Sequence, residues 1–277
     1  MKFLRRFARN RAAVIGAVVI VLYVAVALAA PWIAPYDPTE NDLMMRLKGP
    51  SAEHPLGNDE LGRDILSRLI WGARTSLGIA VGAVGLALVI GVPLGVVAGY
   101  SGGRVDSLLS GLIDVLMSFP GILLALGIVA VFGFGLVNLT LAVGIYSIPL
   151  FARLARASAF SLRNMEYVEA ARAIGEPRWR IMFRHLFPNL TGPLIVEATL
   201  RLATVVLTSS TLSFLGLGVQ PPQPEWGAMI ATSRQYLRVA PHATVIPGLA
   251  LMLVVLAFNL AGDGLRDALD PTMTNRE

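Results

Sequence analysis

The sequence predicts an all-α integral membrane protein with six transmembrane helices. Hydrophobic residues make up 55% of its 277 residues and charged residues only 15%. Mean hydropathy is +0.66. The apolar residues also gather into nearly uncharged runs of about the 20 residues that a bilayer-crossing helix needs. The chain has no cysteine, so disulfides and thiolate metal sites are excluded, and its three histidines, His54, His185 and His242, are too scattered for a metal site. A net charge of +5 would suggest nucleic acid in a soluble chain. Here the arginines stand beside apolar segments, where they set membrane orientation, and no nucleic-acid partner is expected.

The first run, Ala12 to Ala30, is uncharged. Basic residues before it and Ala27 to Ala30 at its end also describe a signal peptide, but its 19 residues exceed the usual signal core of about 7–15. An uncleaved first helix is expected. The second run, Leu77 to Tyr100, carries Gly78, Gly82, Gly91, Gly95 and Gly99 at four-residue spacings in two sets. Such faces let membrane helices approach closely, so tight bundle packing is expected, with Pro93 bending the helix. The third run is Leu108 to Val131, interrupted by Asp114, and the fourth is the shorter Leu136 to Phe151. The fifth, Leu190 to Val219, holds Glu197 and Arg201, and the sixth is Thr244 to Ala261.

Lysine and arginine accumulate on the cytoplasmic side of membrane proteins. With both termini inside, fifteen fall in cytoplasmic segments and seven outside, with Arg201 in a span. The external segment from Pro31 to Arg74 carries seven acids. A natural division sets 1–74, the tail, first helix and external segment, apart from a five-helix core at 75–277 that contains a cytoplasmic loop, 153–189.

Charges inside spans are costly, about 2.5–3.5 kcal/mol at a helix centre on insertion scales. Glu197 precedes Arg201 by four residues, the favourable order for a pair on one helix face. A role lining a translocation path and a purely structural ion pair fit equally well. Asp114, about two turns into its helix, is expected to reach water or Arg104.

The longest cytoplasmic loop is the unusual part of the chain. Leu162, Met165, Val168 and Ala171, then Ile174, form an apolar stripe, with Arg163, Glu166, Glu169 and Arg172 on its polar sides. They predict an amphipathic helix of about 13 residues, roughly 20 Å. Gly175 suits a left-handed helix end and Pro177 the first turn of another helix. That second helix, basic through Arg178, Arg180 and Arg184, is expected to stop at Pro188. A charged helical hairpin of this kind is more than a connector and reads as a surface held by another protein.

The segment "EAARAIGEPRWRIMFRHLFP" resembles the cytoplasmic loop signature of ABC importer permeases, with Glu169, Ala170, Ala171, Gly175 and Pro188 in matching positions. "HPLGNDELGRDILSRLIWGARTSL", "AGYSGGRVD", "LSFLGLGVQPPQPEWG" and "FNLAGDGLRDALDP" are similar to the C-type permease of the dipeptide, oligopeptide and nickel branch. The resemblance implies a type I ABC importer permease fold in a bacterial inner membrane. The implied partners are a second, B-type permease subunit, two cytoplasmic ATPase subunits that bind ATP and Mg, an extracytoplasmic substrate-binding protein and lipid. Glu166, Tyr167, Val168, Glu169, Ala170, Ala171, Arg172, Gly175, Pro177 and Arg178 would form the ATPase-docking coupling loop, with Arg178, Arg180 and Arg184 clamping either the ATPase or the membrane surface. Glu197, Arg201, Ser209 and Asp114 are the candidates for the translocation path.

Ser209 stands where many members carry an acid, and Glu225 where serine is common, so the solute stays open, with di- or oligopeptides expected. The chain cannot supply the ATPase, since its only lysines, Lys2 and Lys48, sit in no phosphate-binding loop. It is expected to bind no cofactor and to catalyse nothing: no serine–histidine pair falls within a span. The competing class, an ATPase-independent transporter or channel, explains the six spans but not the loop, and no internal repeat is evident.

Overall fold

The computed structural model describes residues 2–269. They form helices α1 (Lys2–Arg9), α2 (Arg11–Ile33), α3 (Ile65–Ser101), α4 (Gly103–Met117), α5 (Gly121–Phe132), α6 (Leu136–Leu162), α7 (Glu166–Ala173), α8 (Arg178–Ile181), α9 (Phe187–Phe214), α10 (Trp226–Ser233) and α11 (Pro241–Leu269). A π turn, Met182–Leu186, joins α8 to α9. No strand forms among the described residues. Asp270 and Pro271, which end the C-terminal motif, and Arg276, one of the fifteen basic residues expected inside, lie outside them.

Among the described residues, five stretches are long and apolar enough to cross a membrane: α2, α3, α6, the continuous α8–α9 stretch and α11. The third expected span, Leu108 to Val131, is not one helix. It is α4 and α5, bent by 86°. The cause lies in Pro120, which has no N–H to donate and disfavours helical geometry at Phe119 before it. Ser118 Oγ donates to the Val115 carbonyl (2.7 Å), closing α4, and Pro120 takes the cap position of α5.

Two of the long helices extend well past their apolar runs. The second starts at Ile65, twelve residues before Leu77, because Asp64 caps it: its carboxylate accepts from Ser67 N and Ser67 Oγ, both at 2.7 Å, and pairs with His54 Nδ1 at 2.9 Å. Nearby, the buried Arg63 pairs with Asp59 (2.7 Å), and Arg68 Nη1 donates to the Pro38 carbonyl (2.7 Å). The fourth runs on to Leu162.

The tightest packing joins α3 to α6. A Cβ at Gly91 would come 2.7 Å from the Ile148 carbonyl oxygen, and at Gly95 or Gly99 it would meet the backbone of Ala152 or Arg156. Backbones touch here because no side chain stands between them, which is how membrane helices associate without a hydrophobic drive. The expected glycine face is therefore real at 91, 95 and 99. Gly82 meets only the Thr140 side chain, and Gly78 faces open space. Gly16 brings α2 onto α11 in the same way, 2.7 Å from the Ala257 carbonyl oxygen.

At the end opposite α7, Glu225 holds three helices together. It is fully buried, and its carboxylate accepts from Gly227 N (3.0 Å) and Ala228 N (2.8 Å), capping α10. Ser76 Oγ on α3 and Ser210 Oγ on α9 donate to the same side chain, each at 3.2 Å. Next to it Trp226, also fully buried, donates from its indole to the Leu69 carbonyl (3.1 Å) and meets Tyr23 of α2 edge-on. Its burial and four donors make Glu225 an anchor between helices.

Gly95→Leu should destabilise the chain by about 3 kcal/mol through overpacking, seen as a lower Tm of the detergent-purified protein, while Gly78→Leu leaves Tm unchanged. Glu225→Ala strands two backbone donors and two hydroxyls and should also cost about 3 kcal/mol, with Glu225→Gln costing less. The same thermal scan reads both.

Candidate functional site

The chain leaves α6 at Leu162, turns through Arg163 to Met165 and enters the eight-residue α7. Glu166 and Glu169 sit in its first turn and Arg172 in its last, the order that suits the helix dipole. The helix ends as its sequence requires. Gly175 adopts φ +79°, Gly175 N donates to the Arg172 carbonyl and Glu176 N to the Ala171 carbonyl, each at 3.0 Å.

Only part of the expected apolar stripe lies on this helix. Val168 and Ala171 are buried and pack with Tyr100, Ile181 and Leu186, flanked by Leu162 and Met182. Met165 is exposed, and Ile174 is 83% exposed. The three-residue spacing spans two changes of chain direction, so the expected 13-residue helix shrinks to eight and Ile174 becomes its cap. Glu166, Tyr167, Glu169, Ala170, Arg172, Gly175, Pro177 and Arg178 are all exposed. The outward surface therefore carries acid, small apolar and basic groups on a helix whose other face is locked down.

The second loop helix does not stop at Pro188. It continues as α9, because the π turn before the proline shifts the hydrogen-bonding register, with Phe187 N bonding back five residues to Met182. The expected hairpin is thus a short helix packed against the start of the fifth span. Pro177 is the cap residue of α8 and not part of its first turn.

A residue the sequence reading passed over ties the loop to that span. Glu176, only 11% exposed, pairs through Oε2 with His185 Nε2 (2.7 Å), and Arg180 lies 4.0 Å from its other oxygen. The signal was present as "EPRWRIMFRH", a carboxylate and a histidine nine residues apart, but their meeting requires both the Gly175 turn and the π turn. Tyr167 adds to the joint, its hydroxyl accepting from Asn189 Nδ2 (3.4 Å).

No hydrogen bond or ion pair joins any two of the four path candidates. Glu197 and Arg201 form no ion pair. Arg201 turns instead toward α6, where Nε and Nη2 donate to Ser147 Oγ (3.2 and 3.1 Å) and the guanidinium lies 4.7 Å from the Tyr146 ring centre. Contact with an aromatic face and a hydroxyl on the neighbouring helix displaces the expected pairing along its own helix. Ser209 is fully buried and donates to the Val206 carbonyl (3.1 Å). Asp114 accepts from Arg153 (2.7 Å), not from Arg104, because α6 runs beside α4 at this end. One helical turn away Arg156 grips Asp106 in bidentate fashion, at 2.5 and 2.8 Å.

Residues 91–275 match the family described as "Binding-protein-dependent transport system inner membrane component", and residues 2–50 match "N-terminal TM domain of oligopeptide transport permease C". The chain is 45% identical over 269 residues to the dipeptide transport system permease protein DppC of Alkalihalophilus pseudofirmus, covering 97% of this chain and 88% of the relative. It is 47% identical over 280 residues to the di/tripeptide transport system permease protein DppC of Pseudomonas aeruginosa, covering 99% and 92%. It is 48% identical over 272 residues to the glutathione transport system permease protein GsiD of Escherichia coli, covering 98% and 89%. Among solved structures, the inward-facing MetNI methionine ABC transporter matches with a TM-score of 0.59 at 21% identity, over 73% of this chain and 96% of that one. A helical bundle of the type I importer permease fold and near full-length relatives in one group of permeases agree: this chain belongs to the family of binding-protein-dependent transport system inner membrane components.

Proposed function

We propose that this chain forms half of the translocation pathway of an ATP-driven importer of short peptides, paired with a B-type permease subunit and driven by two separate cytoplasmic ATPase subunits that bind ATP and Mg. An extracytoplasmic binding protein delivers the solute. The observation that carries this reading is the construction of α7. Its outer face is open for docking, while its inner face is fastened to the end of α3 through Tyr100 and to the start of α9 through Ile181, Leu186 and the Glu176–His185 pair. Motion of a docked ATPase then passes to two spans at once, and the spans rock between discrete packings. Peptide cargo follows from the relatives, whose names give dipeptide, di/tripeptide and glutathione transport. Both termini and α7 face the cytoplasm in this reading, following the excess of arginine at that end.

Gly175→Val forces a β-branched residue into the left-handed region, and Glu169→Lys reverses a charge on the docking face. Each should reduce peptide uptake to less than a tenth while membrane insertion stays normal. Wild-type uptake, with the ATPase co-purifying at wild-type yield, would sink the docking role. The absence of cysteine makes orientation directly testable. Glu169→Cys should react with a membrane-impermeant maleimide only after cells are opened, whereas Met44→Cys, 83% exposed in the native residue, should react in intact spheroplasts.

A further inference from the structure

Beside α7 lies a polar cavity of about 570 Å³, open to the surface. Arg163, Arg172 and Arg178 line it with Ser101, Asn164 and Glu176. Among the described residues none of the three arginines forms a salt bridge, and Arg163 only lies within electrostatic reach of Asp106. Arg163 donates to the Gly99 carbonyl (3.2 Å) and lies over the Phe160 ring, and Arg172 lies 5.0 Å from the Tyr100 ring centre. Among the described residues Arg178 makes no side-chain ion pair or hydrogen bond. The one acid in the lining, Glu176, is already engaged by His185 and Arg180, and the nearby Asp106 is held by Arg156. The cavity is left with three guanidinium groups, a hydroxyl and a side-chain amide against one carboxylate, Glu176, that is already paired.

The same helical stretch carries an exposed aromatic row beside this cavity. Trp179, Phe183 and Phe187 recur every fourth residue and are 57%, 66% and 42% exposed, while Ile181, Leu186 and Leu190 on the other side are buried. An exposed aromatic row beginning next to Arg178 is the pattern of a segment lying at headgroup depth, with rings among the acyl chains and guanidinium groups among the phosphates. A cavity rich in arginine at that depth matches the charge and planar-fork geometry that phosphate recognition needs.

We infer that the Arg163–Arg172–Arg178 cavity is a binding site for a phosphate-bearing anion. Its two sources are the phosphodiester of an anionic phospholipid and a free phosphate of the aqueous phase. This goes beyond the docking role of α7 and assigns the basic face of α8 to the membrane surface.

The test uses the full-length chain, with its co-purifying subunits, in nanodiscs of phosphatidylglycerol or of phosphatidylcholine, read by native mass spectrometry for retained lipid. A second arm adds inorganic pyrophosphate to the phosphatidylcholine discs. Selective retention of phosphatidylglycerol identifies the lipid source, and retained pyrophosphate identifies the soluble one. Either supports the site, provided that Arg178→Gln weakens retention about fivefold while Arg104→Gln, an exposed arginine outside the cavity, does not. Arg178 has no side-chain partner among the described residues, so its loss should leave folding intact, and an unchanged Tm verifies this. Equal retention of both lipids with no pyrophosphate bound overturns the proposal. So does an Arg178→Gln chain that retains anion normally but loses its ATPase, because the arginine would then serve protein docking. Failure of that kind leaves the docking role of α7 standing.

Discussion

Backbone contact between α3 and α6 sets the frame for the rest of the molecule. At Gly91, Gly95 and Gly99 the two helices are separated by no side chain, so their relative position is defined by peptide atoms and cannot be relaxed by a change of rotamer. In lipid, where apolar burial gives no net drive, such contact is a main source of cohesion. Gly144 on α6 returns the contact against Ala83 and Leu86, extending the seam along the helix.

That seam has consequences at both ends. At one end, α6 emerges beside Tyr100, so α7 has an apolar seat for Val168 and Ala171 as soon as the chain turns. At the other, α3 presents Ser76 and Gly72 to Glu225 and Trp226, and the loop after α9 is drawn back over the bundle. Between them, Ser147 and Tyr146 of α6 are placed to receive Arg201 from α9. A charge that would be costly in lipid is thereby given a hydroxyl and an aromatic face within the bundle.

Two buried carboxylates add polar fastening to that seam, each with several partners. Glu225 has four donors, and Asp64 has Ser67 twice and His54. A carboxylate so surrounded is worth keeping in an apolar interior, because each partner would otherwise carry its own desolvation cost. This is why the departure at Glu225 reads as architecture, not as solute recognition.

Local chemistry was legible in the residues themselves. Apolar runs of membrane length, the glycine spacing in the second of them, the Gly175 helix end and the family resemblance of the loop are all properties of neighbouring positions in the chain. What only the tertiary structure decided depends on which helices lie side by side. Leu108 to Val131 breaks at Pro120, whose missing N–H a hydropathy run does not register. Pro188 fails to end its helix because a π turn absorbs the missing donor, a register change with no signature in composition. Glu197 and Arg201 have the spacing of a pair, yet Arg201 chooses Ser147 and Tyr146, and Asp114 chooses Arg153. Spacing along a helix states which partners are within reach; the neighbouring helix supplies competitors that spacing alone does not contain.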